Sequence, residues 1–434
     1  MADRAVRAVS AKLAISLRAK RAMSPSHPSP SQENQAVPSP GTAAAVYLSG
    51  FLTLSVVLMM GVTVPLWTVA LRLSAFPTGL VMGAQALTPM LFAIHMGTLM
   101  DRLGVRRMMI FLAIGAVVLP LLYPLLPWFW PLVALQLATG ITVQVTWVGA
   151  QTLIGRLVPG NRRYYGRFGA AANLGMLVGP LLSGISWSMW GPWGAFGLMS
   201  LWAMPLLVTA LLLPAEGELP NAGRDPVNSA ASSRLSLSSL LPDMRSYAAG
   251  FSLLGRPAIA LAVLSTFLRI AASSIRSSFY PVYLRHAGFS GSLIGLLIAS
   301  GSLWGSFGAL LTERLVEAAG SMRRALMVTV ATAIAAMMVT PLMPGFAALF
   351  AAMAVFGAAM GLNQPILLAI LSSSVSFEEQ GLSVGLRISA NMASTLTVPP
   401  LMGLIIELAG VRMGFYVSGA ILLVATALVF LVAE

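Results

Sequence analysis

Gly97-Thr98-Leu99-Met100-Asp101-Arg102-Leu103-Gly104-Val105-Arg106-Arg107 is a short charged link between two long apolar runs, at 77–99 and 107–127. As a helix, each run is long enough to cross about 30 Å of hydrocarbon. The link must therefore turn the chain tightly at a membrane surface. That turn needs glycines for close backbone approach, an aspartate able to meet a helix N-terminus, and basic residues for an anionic leaflet. A turn that only set topology would account for the arginines but not for the glycines that bracket Asp101 and Arg102.

The same alternation repeats outward from this link. Apolar runs lie near 44–70, 77–99, 107–127, 130–157, 168–190 and 194–214, then near 257–284, 290–311, 324–343, 346–374, 382–406 and 412–433. A polar, serine-rich stretch from Pro214 to Gly255 separates the two sets. Only 9% of the 434 residues are charged and 57% are apolar, whereas a soluble domain carries about 25% charged residues. The expected fold class is thus an all-α membrane protein with 12 transmembrane helices in two six-helix pseudo-symmetric bundles. The expected organisation is a disordered basic cytoplasmic tail over 1–42, a bundle over 43–214, a cytoplasmic linker over 215–256 and a second bundle over 257–434. The tail turns Ser- and Pro-rich from Ser24 to Pro40 and holds too little apolar surface to fold. Its basic first part also reads as a transit peptide, a surface amphipathic helix, or residues ahead of a start at Met23.

The net charge of +13 does not point to nucleic acid, because its placement follows the positive-inside rule. With the N-terminus in the cytoplasm, all but five of the 26 Lys and Arg fall in the tail and in the even-numbered links or at the edges of the runs beside them. Arg72, Arg285 and Arg412 fall in odd-numbered links, and Arg269 and Arg276 fall inside the seventh span. There is no cysteine, which excludes disulfides, thiolate metal sites and a thiol nucleophile.

The two sets read as copies. Gly83 precedes Asp101 by the same interval that separates Gly295 from Glu313. In the fifth span of each set, Gly166, Pro180 and Gly184 match Gly385, Pro399 and Gly403 at one constant offset. Six spans per copy make both copies enter from the same side, which gives a pseudo-twofold axis along the membrane normal.

The link Gly97, Asp101, Arg102, Gly104, Arg106, Arg107 resembles the signature loop of the major facilitator superfamily, G-x-L-x-D-R-x-G-x-R-R, with Val105 at a position where a further basic residue is common. The resemblance covers residues from about 44 to the end. It implies that Asp101 docks against the opposite half and releases when the halves rock, and that Glu313, Arg314, Arg323 and Arg324 form a degenerate second gating loop. It also implies a transporter and not an enzyme, acting in the inner membrane with both termini cytoplasmic. The partners implied are the lipid bilayer and a small-molecule substrate, with no cofactor, no metal and no nucleic acid, and the chain is expected to work as a monomer. Gly166, Gly175, Gly179, Pro180 and Gly184 in the fifth span resemble the antiporter motif of the drug/proton branch, with Ser183 in place of its penultimate glycine. Ordinary glycine-mediated packing is the competing account. The resemblance favours export, with a proton as coupling ion. Yet no Asp or Glu lies deep in a span where a relay would use one, and Gln136 stands where the branch carries an arginine before Gly140, so the coupling stays open.

Polar residues within spans mark the expected cavity. In the seventh span Ser265, Arg269, Ser273, Arg276 and Tyr280 share one stripe. A cation at mid-membrane costs at least about 2.5–3.5 kcal/mol, so Arg269 should meet a partner or a wet cavity. Arg276 lies nearer the helix end and reads as snorkelling to the interface. Gln136, Gln144, Trp147 and Gln151 follow helical spacing in the fourth span, and Asn363 and Gln364 precede Pro365 in the tenth. In the resembled family these three spans surround the central cavity, while interhelical hydrogen bonding is the alternative use of the same amides. Guanidinium without buried carboxylate favours an anionic or zwitterionic solute. The reading is an exporter of a small amphiphilic or anionic organic solute. The alternatives are an importer of an organic anion or metal chelate and, in another class, a receptor or assembly subunit that does not transport.

Overall fold

The computed structural model describes residues 40–103, 105–157, 161–212, 253–374 and 380–432. Residues 1–39 of the expected tail and most of the linker lie outside these residues, while Pro40 to Thr42, expected in the tail, already belong to the first helix. Helices account for nearly all of the described chain, and no strand occurs in it. In order they are α1 (Pro40–Ala70), α2 (Ala75–Leu103), α3 (Val105–Leu125) and α4 (Phe129–Leu157), followed by one long segment, Arg162–Leu212. That segment breaks at Gly191, where φ 64 and ψ −155 lie outside any helix. A left-handed φ is cheap only for glycine, and Pro192 suits the first turn of the helix that follows. Its arms are α5 (162–190) and α6 (192–212). Then come α7 (Pro257–His286), α8 (Gly291–Leu310), the short helix Thr312–Ala319, α9 (Met322–Met338), α10 (Gly345–Ser374), α11 (Gln380–Ala409) and α12 (Val411–Val432).

Among the described residues nine helices are long and apolar enough to cross a membrane, or ten if the pair Thr312–Ala319 and Met322–Met338, bent by 111°, makes one span. Separating the arms at Gly191 and including Ala75–Leu103, which fills the expected second span, brings the spans to the expected twelve. Their surface is that of a lipid-solvated protein. Phe111 is 72% exposed and Leu310 80%, while hydroxyls such as Thr63, Ser183 and Thr266 are buried. Without water, a hydroxyl must find a partner inside the bundle, and Thr266 donates to the carbonyl of Ala262 at 2.8 Å. Trp128, Trp130, Trp190 and Trp193 are all exposed at the α3–α4 and α5–α6 links. They form part of an aromatic belt at one membrane interface, on the side that also holds the α1–α2 link.

Each bundle packs its helices in equivalent pairs: α1 on α5, α2 on α4 and α3 on α6 in the first, and α7 on α11, α8 on α10 and α9 on α12 in the second. The bundles meet along two crossings, α2 with α11 and α5 with α8. Equivalent residues build both. A Cβ on Gly79 would collide with the carbonyl oxygen of Pro399, and one on Gly403 with that of Ala75. At the other crossing a Cβ on Gly295 would collide with Pro180 O, and one on Gly184 with Gly291 O. These contacts lie toward the α1–α2 end. There an apolar plug of Val62, Leu66, Trp187, Tyr280, Leu284 and Ile294 joins residues of both bundles.

Candidate functional site

Deeper than the plug, α5, α7, α8 and α10 enclose a pocket of about 450 Å³. α7 begins with Pro257, whose fixed φ suits a first helical position. Arg269 therefore sits about 18 Å along the axis from one helix end and about 26 Å from the other, at 1.5 Å per residue. It is only 9% exposed, lines the pocket, and its Nε meets no acceptor. Ser273 and Arg276 follow it on the same face and also line the pocket. On α10, Pro365 has no N–H for the carbonyl of Gly361, so that oxygen loses its helical partner at the pocket wall. Asn173 and Met176 close the wall from α5, and Ser302 and Ser306 from α8. No Asp, Glu or His belongs to this lining. Among the described residues no group of three His, Cys, Asp or Glu converges in a way that would hold a metal ion.

The structure sorts the expected cavity residues. Arg269 and Gln364 come together in the pocket wall. Asn363, one residue away and so rotated by about 100°, turns instead to α9 and donates to Thr329 Oγ1 at 3.0 Å. Gln136, Gln144, Trp147 and Gln151 do not line this pocket. Gln136 is buried, with its Oε1 unpaired. Trp147 stacks on Phe168 at 5.7 Å, Gln144 is half-buried, and Gln151 is exposed. Arg276 does not snorkel, because its guanidinium lies over the ring of Phe356, 5.2 Å from the centroid, where a cation–π contact holds it in the pocket wall. Arg387, counted among the cytoplasmic links on sequence, belongs to α11, where its Nε is buried and unpaired. Asn173 was also missed. A lone amide inside the apolar fifth span was the available signal.

The link residues have mechanical partners. Gly97, Asp101 and Arg102 fall on the last turns of α2, and Arg106 and Arg107 on the first turn of α3. Gly104 and the side chains of 93–105 lie outside the described residues. Arg106 donates to the carbonyl of Leu211 at 2.8 Å, and Arg323 donates likewise to Phe430. Each of these arginines thus holds the C-terminal end of the last helix of its own bundle, where orphan carbonyls and the helix dipole favour a cation. Glu313, Arg314 and Arg324 are exposed. The α5 motif is divided by direction. Gly175 and Gly179 allow the α1 backbone to approach at Phe51 and Ser55, Pro180 and Gly184 meet α8, and a Cβ on Gly166 would find open space. Ser183 shares a 2.5 Å hydrogen bond with Thr63 of α1. At the α1–α2 end, Glu407 of α11 accepts a 3.0 Å hydrogen bond from the N–H of Phe76, so that a carboxylate of one bundle caps the first turn of α2 in the other. A larger groove, about 670 Å³, lies between α1 and α6 and is lined by apolar side chains such as Leu48, Leu201 and Val208. It faces lipid and offers a charged solute no partner.

A sequence profile described as Major Facilitator Superfamily matches residues 46–345 and 262–434. No curated protein matches at a significant level. Among solved structures, the nucleoside transporter NupG superimposes with a TM-score of 0.72 at 14% identity, covering 90% of this chain and 98% of its own. A bacterial homolog of the human lysosomal transporter Spinster, inward-facing and unoccupied, gives 0.70 at 16%, with 91% and 98% covered. The xylose transporter XylE from E. coli, in an inward open conformation, gives 0.66 at 15%, with 89% and 94% covered. At such identities the likeness is one of fold.

Proposed function

The chain belongs to the major facilitator superfamily, and from that premise we propose that it exports a small anionic or amphiphilic organic solute across the inner membrane by alternating access, with Arg269 meeting the solute. One observation carries this reading: a guanidinium at mid-membrane, 9% exposed, lines a pocket whose wall holds no carboxylate. A buried cation with no acidic partner is stabilised by an anion that arrives, and Arg matches carboxylate and phosphate through two parallel hydrogen bonds. In this reading the apolar plug and the glycine crossings are the closed gate on the far side of the pocket, and the basic residues keep both termini in the cytoplasm. Export is favoured by the α5 motif.

Thermal unfolding of the detergent-purified protein, followed by its nine tryptophans, tests the proposal against panels of organic anions, zwitterions and lipophilic cations. A ligand at 100 times its dissociation constant adds about 2.7 kcal/mol to the folded state. Anions should stabilise the wild type and lose that effect in Arg269→Ala. Cations that stabilise both proteins equally would make Arg269 a structural residue and end the anion reading.

A further inference from the structure

The pocket carries more positive charge than a single acidic group would neutralise. Arg269 and Arg276 are seven residues apart on α7, which returns them to nearly the same face, about 10 Å apart along the axis. Ser273 lies between them, and all three line the pocket. The Nε atoms of both arginines are shut off from solvent and have no acceptor. Arginine stays charged in proteins, so this charge is not relieved by losing protons. The contact with Phe356 fixes Arg276 against α10, which makes it a second fixed point of recognition. The amides of Asn173 and Gln364 and the hydroxyls of Ser302 and Ser306 are the other polar groups in the wall. They can orient a solute but bring no charge.

We propose that the pocket selects a dianion, an elongated organic solute whose one acidic group meets Arg269 while a second, separate acidic group meets Arg276 about two helical turns away. This rests on the reading that the pocket is the substrate site. It makes Arg276 the specificity-determining residue, because a solute with one acid leaves that guanidinium with only the ring of Phe356 and its buried Nε without an acceptor. Leaving a buried charged donor unmatched is the costly case in hydrogen-bond recognition, and it sets the discrimination at about tenfold or more.

The test compares straight-chain diacids of graded length with their monomethyl half-esters, and with a monoalkyl phosphate that carries both charges on one group. Dissociation constants are read from thermal unfolding shifts of the full-length purified protein. In the wild type a diacid of matching length should bind about tenfold or more tightly than its half-ester and than the alkyl phosphate. In Arg276→Gln the ratio of diacid to half-ester should collapse toward one, and Arg276→Lys should restore part of it. Equal binding of diacid and half-ester by the wild type overturns the proposal without any variant having to fold. An alkyl phosphate that matches the diacid overturns the two-position geometry. If half-esters bind well and diacids gain nothing, the anion site stands and the dianion selection falls; if neither binds, the anion reading falls as well.

Discussion

Gly184→Ala is the sharpest probe of the crossing that holds the bundles together. A Cβ at this position would stand 3.0 Å from Gly295 Cα and closer still to the carbonyl oxygen of Gly291. Both are backbone atoms of α8, so no side chain can swing away. Ordinary contact begins at 3.4 Å, and α5 and α8 must part by on the order of 1 Å, an overpacking that costs about 1–3 kcal/mol. If the contact exists only while the α1–α2 end is closed, the whole cost falls on that state. The closed-to-open ratio then drops by a factor of about 5–150, since 1.4 kcal/mol is tenfold. The chain has no cysteine, so a single Thr78→Cys at a buried position beside the other crossing reports opening through its rate of labelling by a membrane-impermeant maleimide. Gly184→Ala should raise that rate at least about fivefold. The control is Gly169→Ala on the same helix, where a Cβ finds nothing within 4 Å and the rate should not move. A labelling rate in Gly184→Ala equal to that of the control would refute the view that this crossing limits opening.

Two further outcomes follow from specific contacts. Glu407→Gln keeps the shape of the side chain but removes the charge that caps α2 at Phe76 across the bundles, so Thr78→Cys labelling should rise as in Gly184→Ala; an unchanged rate would make Glu407 an ordinary surface carboxylate. Thr329→Val leaves the buried Nδ2 of Asn363 without its acceptor, which should lower stability by about 1–3 kcal/mol. Ligand-induced shifts should persist in that variant, since this bond faces α9 and not the pocket; loss of ligand response would bring Asn363 into solute binding.

The spans were legible because their signal is one-dimensional. A run such as 346–374 is apolar on every side, since the bilayer solvates one face and neighbouring helices the other, and the observed α10 covers Gly345–Ser374. The repeat was legible for a related reason. Pro180, Gly184, Pro399 and Gly403 occupy equivalent crossings, and close backbone contact tolerates few side chains. Arg269 stood out because a charge in a span has few affordable explanations. Helix boundaries blurred the rest. Arg387 lies near the end of its run, where sequence alone does not separate a membrane surface from the first turns of a span, and α11 starts at Gln380.

By itself the sequence determined the number of spans, their grouping in two sets and the presence of a charge within a span, because apolar length, repeat spacing and charge placement are properties of the chain read in order. Only the tertiary structure decided which way each polar face turns. Gln364 lines the pocket while Asn363 reaches Thr329, Arg276 lies against Phe356 instead of reaching for the interface, and the α4 amides do not line the pocket that Arg269 lines. The physical reason is that a helix apolar on nearly all sides carries little amphipathic signal to fix its rotation. Rotation is set by where the neighbouring backbones can approach, and that depends on glycines far away in the chain.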